Sequence, residues 1–383
     1  MGAASDADRG ALPDRRHHAS GRVDHRRAGA KRRDRDPRRP RPQARGGDGA
    51  IRVVDAHVHV IVPELLRCRR HDDEWRPRVR RDAGEQLVEL DGREIRSAVN
   101  EFVDVPTILA IQARAGVDAV VLCPWVPLLF PEVEPAACLE RCRIQNQALA
   151  GLARDNPERV AALGAVPLQD PELAAAELRE LRRDGALAGV EVTASVGGVY
   201  VGEPRFEPFW AAAAETEALV FIHPTTRGFD APVFGEHYLW NTVGNPLETT
   251  IAAAQLVMGG VMERHPRLRV LLAHGGGAVL ALRGRLRHSH TFQPQARAEL
   301  TESPLASIRR FHFDTITHDR ELLAALIEFA GAERVLLGSD YPFDMADHDP
   351  VASVRALDLP EAAQEAVLGG NAARLTRGSA VHA

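Results

Sequence analysis

The chain has 383 residues, a formal net charge of −5 and 45% apolar residues, enough apolar side chain to fill a large core. No stretch approaches the roughly 18 uncharged apolar residues of a membrane span, and the charged N-terminus has no apolar segment typical of a secretory signal. The cysteines show no C-x-x-C spacing. We therefore expect a cytoplasmic protein that does not bind membranes, with four reduced thiols, at Cys68, Cys123, Cys138 and Cys142.

Residues 1–50 differ in composition from the rest of the chain. Arginine and aspartate dominate them, their formal net charge is +7, and they show almost no apolar periodicity. Such a segment buries too little surface to offset the entropy of ordering. We predict a disordered, Arg-rich N-terminal extension at 1–50 and one folded domain at 51–383. Aspartates interrupt the positive charge and no aromatic residues accompany it, so we do not expect nucleic-acid binding.

From residue 51 onwards, short apolar runs alternate with segments of helical periodicity. The runs are rich in β-branched residues and lack polar alternation, as in parallel strands that are buried on both faces. Eight such units over about 290 residues predict an α/β fold, the (β/α)8 TIM barrel. An open doubly wound sheet is the alternative, but it would usually carry a Gly-rich turn after its first strand. The runs are Arg52 to Ala56, Val117 to Cys123, Val160 to Val166, Ala188 to Thr193, Leu219 to His223, Arg269 to His274, Phe311 to Thr315 and Arg334 to Ser339.

A pair of histidines follows the first predicted strand. His57 and His59 are two residues apart, and side chains at i and i+2 of a strand point to the same side. Two imidazoles that converge at a strand end suit a metal such as zinc, which prefers nitrogen ligands. The pair is also compatible with an ordinary strand, so a metal site requires further ligands elsewhere in the chain.

Further candidate ligands stand at the ends of three other predicted strands. His223 ends the fifth run, His274 ends the sixth and Asp340 follows the eighth. The active site of a barrel lies at the carboxyl ends of its strands, so these side chains and the first-strand pair would meet at one face. Two long excursions, at residues 60–104 and 224–247, would lie on the same face. We therefore predict a metal site there.

Six short motifs mark the predicted domain in order along the chain. They are Asp55 to His59, His223-Pro224, Gly244 to Thr250, His274 to Ala278 running on to Gly284-Arg285, Leu337 to Phe343, and Gly370 to Leu375. As a set they resemble the amidohydrolase superfamily, in the branch of aminocarboxymuconate-semialdehyde decarboxylase and related aromatic-acid decarboxylases. The resemblance covers nearly all of residues 51–378.

The resemblance implies one divalent metal ion held by four side chains, namely His57, His59, His223 and Asp340. Zinc is the expected metal and manganese the alternative, and the ion would lower the pKa of a bound water towards about 7. His274 resembles the family's general base, which deprotonates water or orients the substrate. Asp340 would also act catalytically by shuttling a proton.

The resemblance also implies residues that bind a small carboxylic acid substrate. Arg285 matches an arginine that reaches the neighbouring subunit's site in relatives, so we expect a homodimer. Arg96 roughly matches a second substrate-binding arginine, with Arg93 as a competitor for that role; a guanidinium fork can bind both oxygens of a carboxylate. Trp125 is a candidate aromatic wall for a planar substrate, and packing under the loop is its alternative role.

The chain departs from its relatives in two informative ways. Binuclear amidohydrolases generally bridge two metals with a carboxylated lysine, and residues 32–383 contain no lysine, which favours a single metal. Thr225-Thr226 stands where the decarboxylases have tryptophan, which leaves the identity of the substrate open. We predict a metal-dependent, non-oxidative decarboxylase (a carbon–carbon lyase) of an aromatic or muconate-like carboxylic acid. The alternatives are a hydrolase of a lactone, ester or amide and a hydratase of an unsaturated dicarboxylate.

Overall fold

The computed structural model describes residues 52–67, 75–82, 85–90, 93–97, 102–226, 229 and 231–376. The predicted extension at 1–50 and Cys68 lie outside the described residues. The strands in chain order are β1 (Val54–Val60), β2 (Arg78–Asp82), β3 (Glu85–Leu90), β4 (Arg93–Ser97), β5 (Ala119–Pro124), β6 (Val160–Gly164), β7 (Gly189–Thr193), β8 (Ser195–Val196), β9 (Val199–Tyr200), β10 (Leu219–His223), β11 (Arg269–Leu272), β12 (His312–Asp314) and β13 (Val335–Leu336).

Eight of these strands form one parallel sheet in the order β1-β5-β6-β7-β10-β11-β12-β13. Hydrogen bonds join its two edges: the amide of Ala56 donates to the carbonyl of Leu337 at 2.8 Å, and that of His59 donates to the carbonyl of Tyr341 at 2.7 Å. Strand order follows chain order and the sheet closes on itself, so the fold is a (β/α)8 barrel. The predicted fold class is confirmed, and each apolar run overlaps one barrel strand.

The first strand extends beyond its apolar run and includes both histidines. The apolar run ends at Ala56, whereas β1 continues to Val60. The continuation is stabilised by the segment after β13, because the amide of Asp340 donates to the carbonyl of His57 at 2.9 Å and a bridge pairs Val58 with Tyr341. The two histidines therefore lie within a strand, and its backbone fixes the direction of both imidazoles.

Helices connect the barrel strands and bury apolar faces. In the helix Pro171–Asp184, for example, Asp170 caps the N-terminus by accepting a hydrogen bond from the amide of Leu173, and Gly185 ends the helix at a φ of 77°. Its buried face includes Ala174 and Leu178. None of the helices in the described residues combines the length and apolar character that crossing a membrane requires. The helices are α1 (Pro63–Leu66), α2 (Val105–Arg114), α3 (Pro135–Asp155), α4 (Pro171–Asp184), α5 (Glu207–Thr216), α6 (Asn245–Met258), α7 (Val261–Arg264), α8 (Val279–Phe292), α9 (Pro304–Ile308), α10 (Arg320–Ala330), α11 (Pro350–Arg355), α12 (Glu361–Glu365) and α13 (Asn371–Leu375).

The first excursion, which the sequence pattern did not assign, carries a small antiparallel sheet. Strands β2, β3 and β4 pair in that order, and Leu87 of β3 stands opposite Arg96 of β4. Leu87 and Val88 are buried. The side chains of Arg93 and Arg96 lie outside the described residues, so the role of Arg96 in substrate binding stays a prediction.

The second excursion connects β10 to α6. Among its described residues are a short 3-10 turn at Pro232–Phe234 and a π-helical turn at Trp240–Gly244 that leads into α6. The backbone amide and the hydroxyl of Thr225 each donate a hydrogen bond of 2.6 Å to the carboxylate of Glu248, which lies buried on α6. The residue that departs from the family pattern thus holds the start of this excursion against α6.

Candidate metal centre

Three histidines and one aspartate meet at the carboxyl end of the barrel. His57 and His59 come from β1, His223 is the last residue of β10, and Asp340 follows β13. One ligand atom from each of the four lies within 4.8 Å of the others. Their exposed fractions are between 0% and 6%. The structure therefore brings together the four residues that we expected as metal ligands.

Hydrogen bonds at Nδ1 fix the tautomer of each imidazole. Nδ1 of His57 lies 2.9 Å from Oδ2 of Asp314, and Nδ1 of His59 and of His223 each lie 2.9 Å from a proline carbonyl oxygen. An imidazole that donates from Nδ1 to an oxygen keeps a free lone pair on Nε2 when it is neutral. Partners of this kind orient metal-binding histidines in other proteins. The three Nε2 atoms are thus prepared to act as ligands.

The arrangement of these lone pairs suits a cation. Nε2 of His57 and Nε2 of His59 are 2.9 Å apart, and in the described residues neither Nε2 of His223 nor Oδ1 of Asp340 has a hydrogen-bond partner. Lone pairs and a carboxylate oxygen this close repel one another unless a positive charge lies among them. Three imidazole nitrogens and one carboxylate oxygen are ligands that zinc and related divalent metals accept. The residues present therefore fit one divalent ion.

The pKa values of the cluster reflect burial and mutual charge. Burial lowers the pKa of His59, and burial and the neighbouring imidazoles hold the pKa of His223 well below its usual range. Burial also opposes the charged form of His57, but Asp340 and Asp314 outweigh it and raise the pKa of His57 to about 10. Burial works against ionisation of Asp340 as well, yet the charge of His57 keeps its pKa well below the usual value. The carboxylates thus draw a positive charge into the cluster, as a metal ion would supply.

A turn after β13 holds Asp340 in place. Its φ of 61° lies in the left-handed region, which few residues other than glycine adopt. The buried carboxylate of Asp55 accepts hydrogen bonds from the amide of Ser339, at 3.0 Å, and from the Ser339 hydroxyl. Burial raises the pKa of Asp55 to about 6, and the hydrogen bond from Ser339 partly offsets that effect. Asp55 therefore anchors the turn to β1.

His274 lies at the edge of the cluster. Its φ is 56°, and the three glycines after it also have positive φ values; a Cβ at Gly277 would lie 2.1 Å from the carbonyl oxygen of Pro246, so glycine is required there. Nε2 of His274 is 3.3 Å from Oδ2 of Asp340, and 15% of the His274 side chain is exposed. The imidazole thus contacts the ligand carboxylate and also reaches the surface of the site.

Asp314 is a site residue that the sequence analysis missed. It ends β12 and is fully buried. Besides its contact with Nδ1 of His57, its carboxylate accepts hydrogen bonds from the amides of His274, at 2.9 Å, and Gly275, at 2.7 Å. One side chain therefore positions both a ligand and the neighbouring catalytic candidate. Its signal in the sequence was an aspartate at the end of the seventh apolar run.

Glu191, on β7, is a second buried carboxyl group that sequence reasoning missed. It is 1% exposed, and neither of its carboxylate oxygens has a hydrogen-bond partner among the described residues. Burial raises the pKa of Glu191 well above its usual range, and the charge of His57 offsets this only in part. Its surroundings therefore favour the neutral form of the carboxyl group. A lone charged residue inside an apolar run was its signal.

Two of the expected substrate-binding residues, Trp125 and Arg285, have side chains among the described residues. Trp125 is 4% exposed, and its ring packs 5.5 Å from that of Phe102. Phe102 in turn contacts Phe343, whose ring centre is 5.2 Å from that of His59. This burial favours the packing role of Trp125 under the loops. Arg285 is exposed on α8.

Comparisons with known proteins identify the family of this chain. A family model described as amidohydrolase matches residues 131–377. This chain belongs to the amidohydrolase family. Among curated relatives, 2-amino-3-carboxymuconate-6-semialdehyde decarboxylase of Dictyostelium discoideum is 31% identical over 287 residues, which cover 74% of this chain and 79% of the relative. 6-Methylsalicylic acid decarboxylase of Penicillium expansum is 31% identical over 259 residues, 65% of this chain and 78% of the relative. The predicted family and branch are confirmed.

Solved structures of amidohydrolase relatives share the barrel. The 5-carboxyvanillate decarboxylase of Sphingomonas paucimobilis matches with a TM-score of 0.73 and 25% identity, over 86% of this chain and 99% of that one. A dihydroxybenzoic acid decarboxylase from a Polaromonas species, solved with manganese and the inhibitor 2-nitroresorcinol, matches with a TM-score of 0.69 and 20% identity. That match covers 86% of this chain and 97% of the Polaromonas chain, which shows a common fold.

Proposed function

We propose that this amidohydrolase is a metal-dependent, non-oxidative decarboxylase of a small aromatic or muconate-like carboxylic acid. The cluster of His57, His59, His223 and Asp340, with His274 at its edge, is the observation that carries the proposal. Relatives at 31% identity that are named decarboxylases support the reaction type. In this reaction the bond from carbon to the carboxylate breaks, the electron pair stays on that carbon, and a proton takes the place of carbon dioxide.

The side chains of the site orient the substrate and move the proton. A divalent ion held by the four ligands would act as a Lewis acid and attract an anionic substrate. His274 holds a proton at Nε2, 3.3 Å from Asp340, and delivers it to the carbon that loses carbon dioxide. Asp340 exchanges that proton with His274. Asp314 keeps His274 in place through the two amide hydrogen bonds at the start of the glycine loop.

The proposal includes a homodimer in which Arg285 binds the substrate carboxylate in the other subunit. Arg285 is exposed on α8, where Leu282 and Phe292 are 37% and 63% exposed. Apolar and aromatic side chains beside an arginine are typical of the centre of a protein interface. Arg96 remains a proposed substrate contact, whereas the burial of Trp125 favours packing over direct contact with the substrate. Sedimentation analysis tests the dimer, and a fully active monomer would contradict it.

We propose zinc as the bound metal and manganese as the alternative, since manganese is present in the solved Polaromonas decarboxylase. Elemental analysis of the purified protein distinguishes the two. We also propose the cytoplasm as its location. The three cysteines in the described residues, Cys123, Cys138 and Cys142, are free and buried, as expected in a reducing compartment.

A substrate panel tests the reaction type. Metal-loaded enzyme is incubated with hydroxybenzoates and carboxymuconate semialdehydes, and carbon dioxide and the products are quantified. We expect one carbon dioxide for each acid consumed. Turnover of lactones, esters or amides without any release of carbon dioxide would contradict the proposal and favour a hydrolase, and water addition to an unsaturated dicarboxylate would favour a hydratase.

A matched pair of histidine variants tests the role of His274. His274→Asn is expected to keep the metal and to lose activity by about 100-fold or more, the scale of general acid–base catalysis. His318→Asn is the control, because His318 also has a positive φ, of 52°, and is exposed. Asparagine tolerates this backbone conformation. Equal activity in the two variants would exclude His274 as the proton donor.

A further inference from the structure

A pocket lies at the end of the barrel opposite the ligand cluster, where the strands begin. Its volume is about 460 Å³, within the range of about 300–1,000 Å³ of small-molecule sites. Residues at the start of β11, β12 and β13 contribute to it, and α13 adds Arg374. The residues that line it are Glu217, Pro266, Arg267, Leu268, Arg269, His312, Glu333, Arg334, Arg374 and Leu375.

The charged residues of this pocket carry an excess of two positive charges, since four arginines face two glutamates. Glu217 is already paired with Arg269. In the described part of the chain, no acid forms an ion pair with Arg267, Arg334 or Arg374. The residues around the pocket therefore neutralise only part of its positive charge.

The guanidinium of Arg334 supplies one of the positive charges of the pocket. It is half-buried, and its hydrogen-bond partners in the described residues are neutral: one nitrogen donates to the carbonyl of Arg310 at 3.2 Å and lies 3.3 Å from Nε2 of His312. Burial lowers the pKa of Arg334, Glu333 opposes this, and the charges of Arg374 and Arg310 add to the lowering. A half-buried cation without an ion-pair partner leaves donors for a ligand.

His312 is a buried, uncharged part of the same wall. It is 3% exposed, and burial, followed by the charges of Arg334 and Arg374, lowers its pKa to about 3. The ring is therefore neutral at pH 7. Because Nε2 accepts a hydrogen bond from Arg334, the ring proton is on Nδ1. This part of the wall thus carries the positive charge of Arg334 and no negative charge.

We propose that the pocket lined by Arg267, Arg334, Arg374 and His312 binds the phosphate group of a small phosphorylated molecule. A phosphate monoester carries close to two negative charges at pH 7, which equals the positive excess of the pocket. Guanidinium groups bind such oxyanions through paired, charge-assisted hydrogen bonds. The pocket volume leaves room for an organic part beyond the phosphate itself. This inference does not depend on the proposed decarboxylase activity.

Calorimetric titration of the metal-loaded full-length enzyme at constant ionic strength tests the proposal. The probes are inorganic phosphate, glycerol 3-phosphate, glucose 6-phosphate and, as a dianion without phosphorus, succinate. We expect saturable binding of at least one phosphate ester, at least tenfold tighter than succinate and tighter than inorganic phosphate. Equal binding of succinate, or inorganic phosphate binding as tightly as both esters, would overturn the proposed ligand class.

Arginine variants locate the binding site. Arg334→Gln and Arg374→Gln should each weaken binding of the preferred ester by at least tenfold, whereas Arg355→Gln, which removes an exposed arginine from α11, should not. Arg374 is exposed, so its variant keeps the test valid if Arg334→Gln does not fold. Binding that survives in both pocket variants would place the phosphate elsewhere, for example at the metal, and would overturn the proposal. Absence of binding by the wild-type enzyme would do the same.

Discussion

The two ends of the barrel place buried histidines in opposite electrostatic surroundings. At the carboxyl ends of the strands, Asp340 and Asp314 overcome the effect of burial and raise the pKa of His57 to about 10. At the amino ends, burial and the charges of Arg334 and Arg374 lower the pKa of His312 to about 3. A buried histidine is therefore readily protonated at the carboxyl end of the barrel and resists protonation at the amino end.

Strand β12 connects the two environments directly. His312 begins this strand and Asp314 ends it, so about 7 Å of extended backbone separates them. Burial alone does not distinguish the two ends, because both residues are almost fully buried. The sign of the neighbouring charges distinguishes them. Carboxylates at one end attract a cation, whereas arginines at the other end leave an excess of positive charge. Variants that remove one charged or titratable group at either end can break this contrast.

The largest effect is expected from Asp340→Asn, at the metal-binding end of the barrel. Asparagine preserves the shape and tolerates the positive φ of this turn, but it removes the negative charge from the ligand set. We expect metal content well below one ion per chain and a loss of activity of about 1,000-fold or more. Asp358→Asn, an exposed site, is the control. Full metal content with full activity in Asp340→Asn would exclude this aspartate as a ligand.

The next largest effect is on the pH dependence of stability, and it concerns His312 in the basic pocket. The folded-state pKa of His312, about 3, lies below 6.5, the ordinary pKa of a histidine side chain. The unfolded chain therefore binds a proton that the folded chain rejects, and stability is lost as the pH falls from about 6.5 towards 3. Between pH 7 and pH 4.5 this loss is on the order of 3 kcal/mol at 1.36 kcal/mol per pKa unit.

His312→Gln isolates that contribution. The free energy of unfolding, measured by urea titration at both pH values, should fall less on acidification in this variant than in the wild-type protein. His348→Gln, at an exposed position, should keep the wild-type pH dependence. An unchanged pH dependence in His312→Gln would show that the ring accepts a proton in the folded state, contrary to the electrostatics described above.

A smaller effect is expected from Asp314→Asn, which keeps the metal ligands themselves. The amide nitrogen of asparagine cannot accept the hydrogen bond from Nδ1 of His57, so the orientation of this ligand is weakened. Loss of such a partner typically lowers metal affinity by about 10–100-fold. Competition with a chromogenic chelator measures the change. Asp319→Asn is the matched control, because Asp319 also accepts a backbone amide, that of Leu322, and asparagine caps a helix equally well. Unchanged affinity in Asp314→Asn would contradict its orienting role.

The barrel and the ligand set could be predicted because their signals are local and repetitive. Each barrel strand is a short apolar run, and the candidate ligands stand at the ends of such runs, where barrel geometry brings them to one face. His223, for example, is both the last residue of its run and the last residue of β10. The hydrogen bonds that hold the end of β1 to the distant Asp340 segment could not be predicted, because no local pattern records them.

Other features depend on contacts that no local pattern records. Asp314 ends an apolar strand, but its three roles depend on partners 39 to 257 residues away in sequence. The small sheet of β2, β3 and β4 is rich in charged residues and lacks a regular apolar alternation. The basic pocket forms from four arginines of three separate segments, and in a chain with so many arginines none of them stands out.

One measurement tests the central claim most directly: stoichiometric recovery of carbon dioxide release as metal is returned to chelator-stripped enzyme. With an active aromatic acid from the panel, activity should rise linearly with added zinc or manganese and stop at one equivalent per chain. Asp340→Asn should not recover under the same conditions. Full activity of the stripped enzyme, or a linear rise that continues to two equivalents, would contradict a single essential ion held by His57, His59, His223 and Asp340.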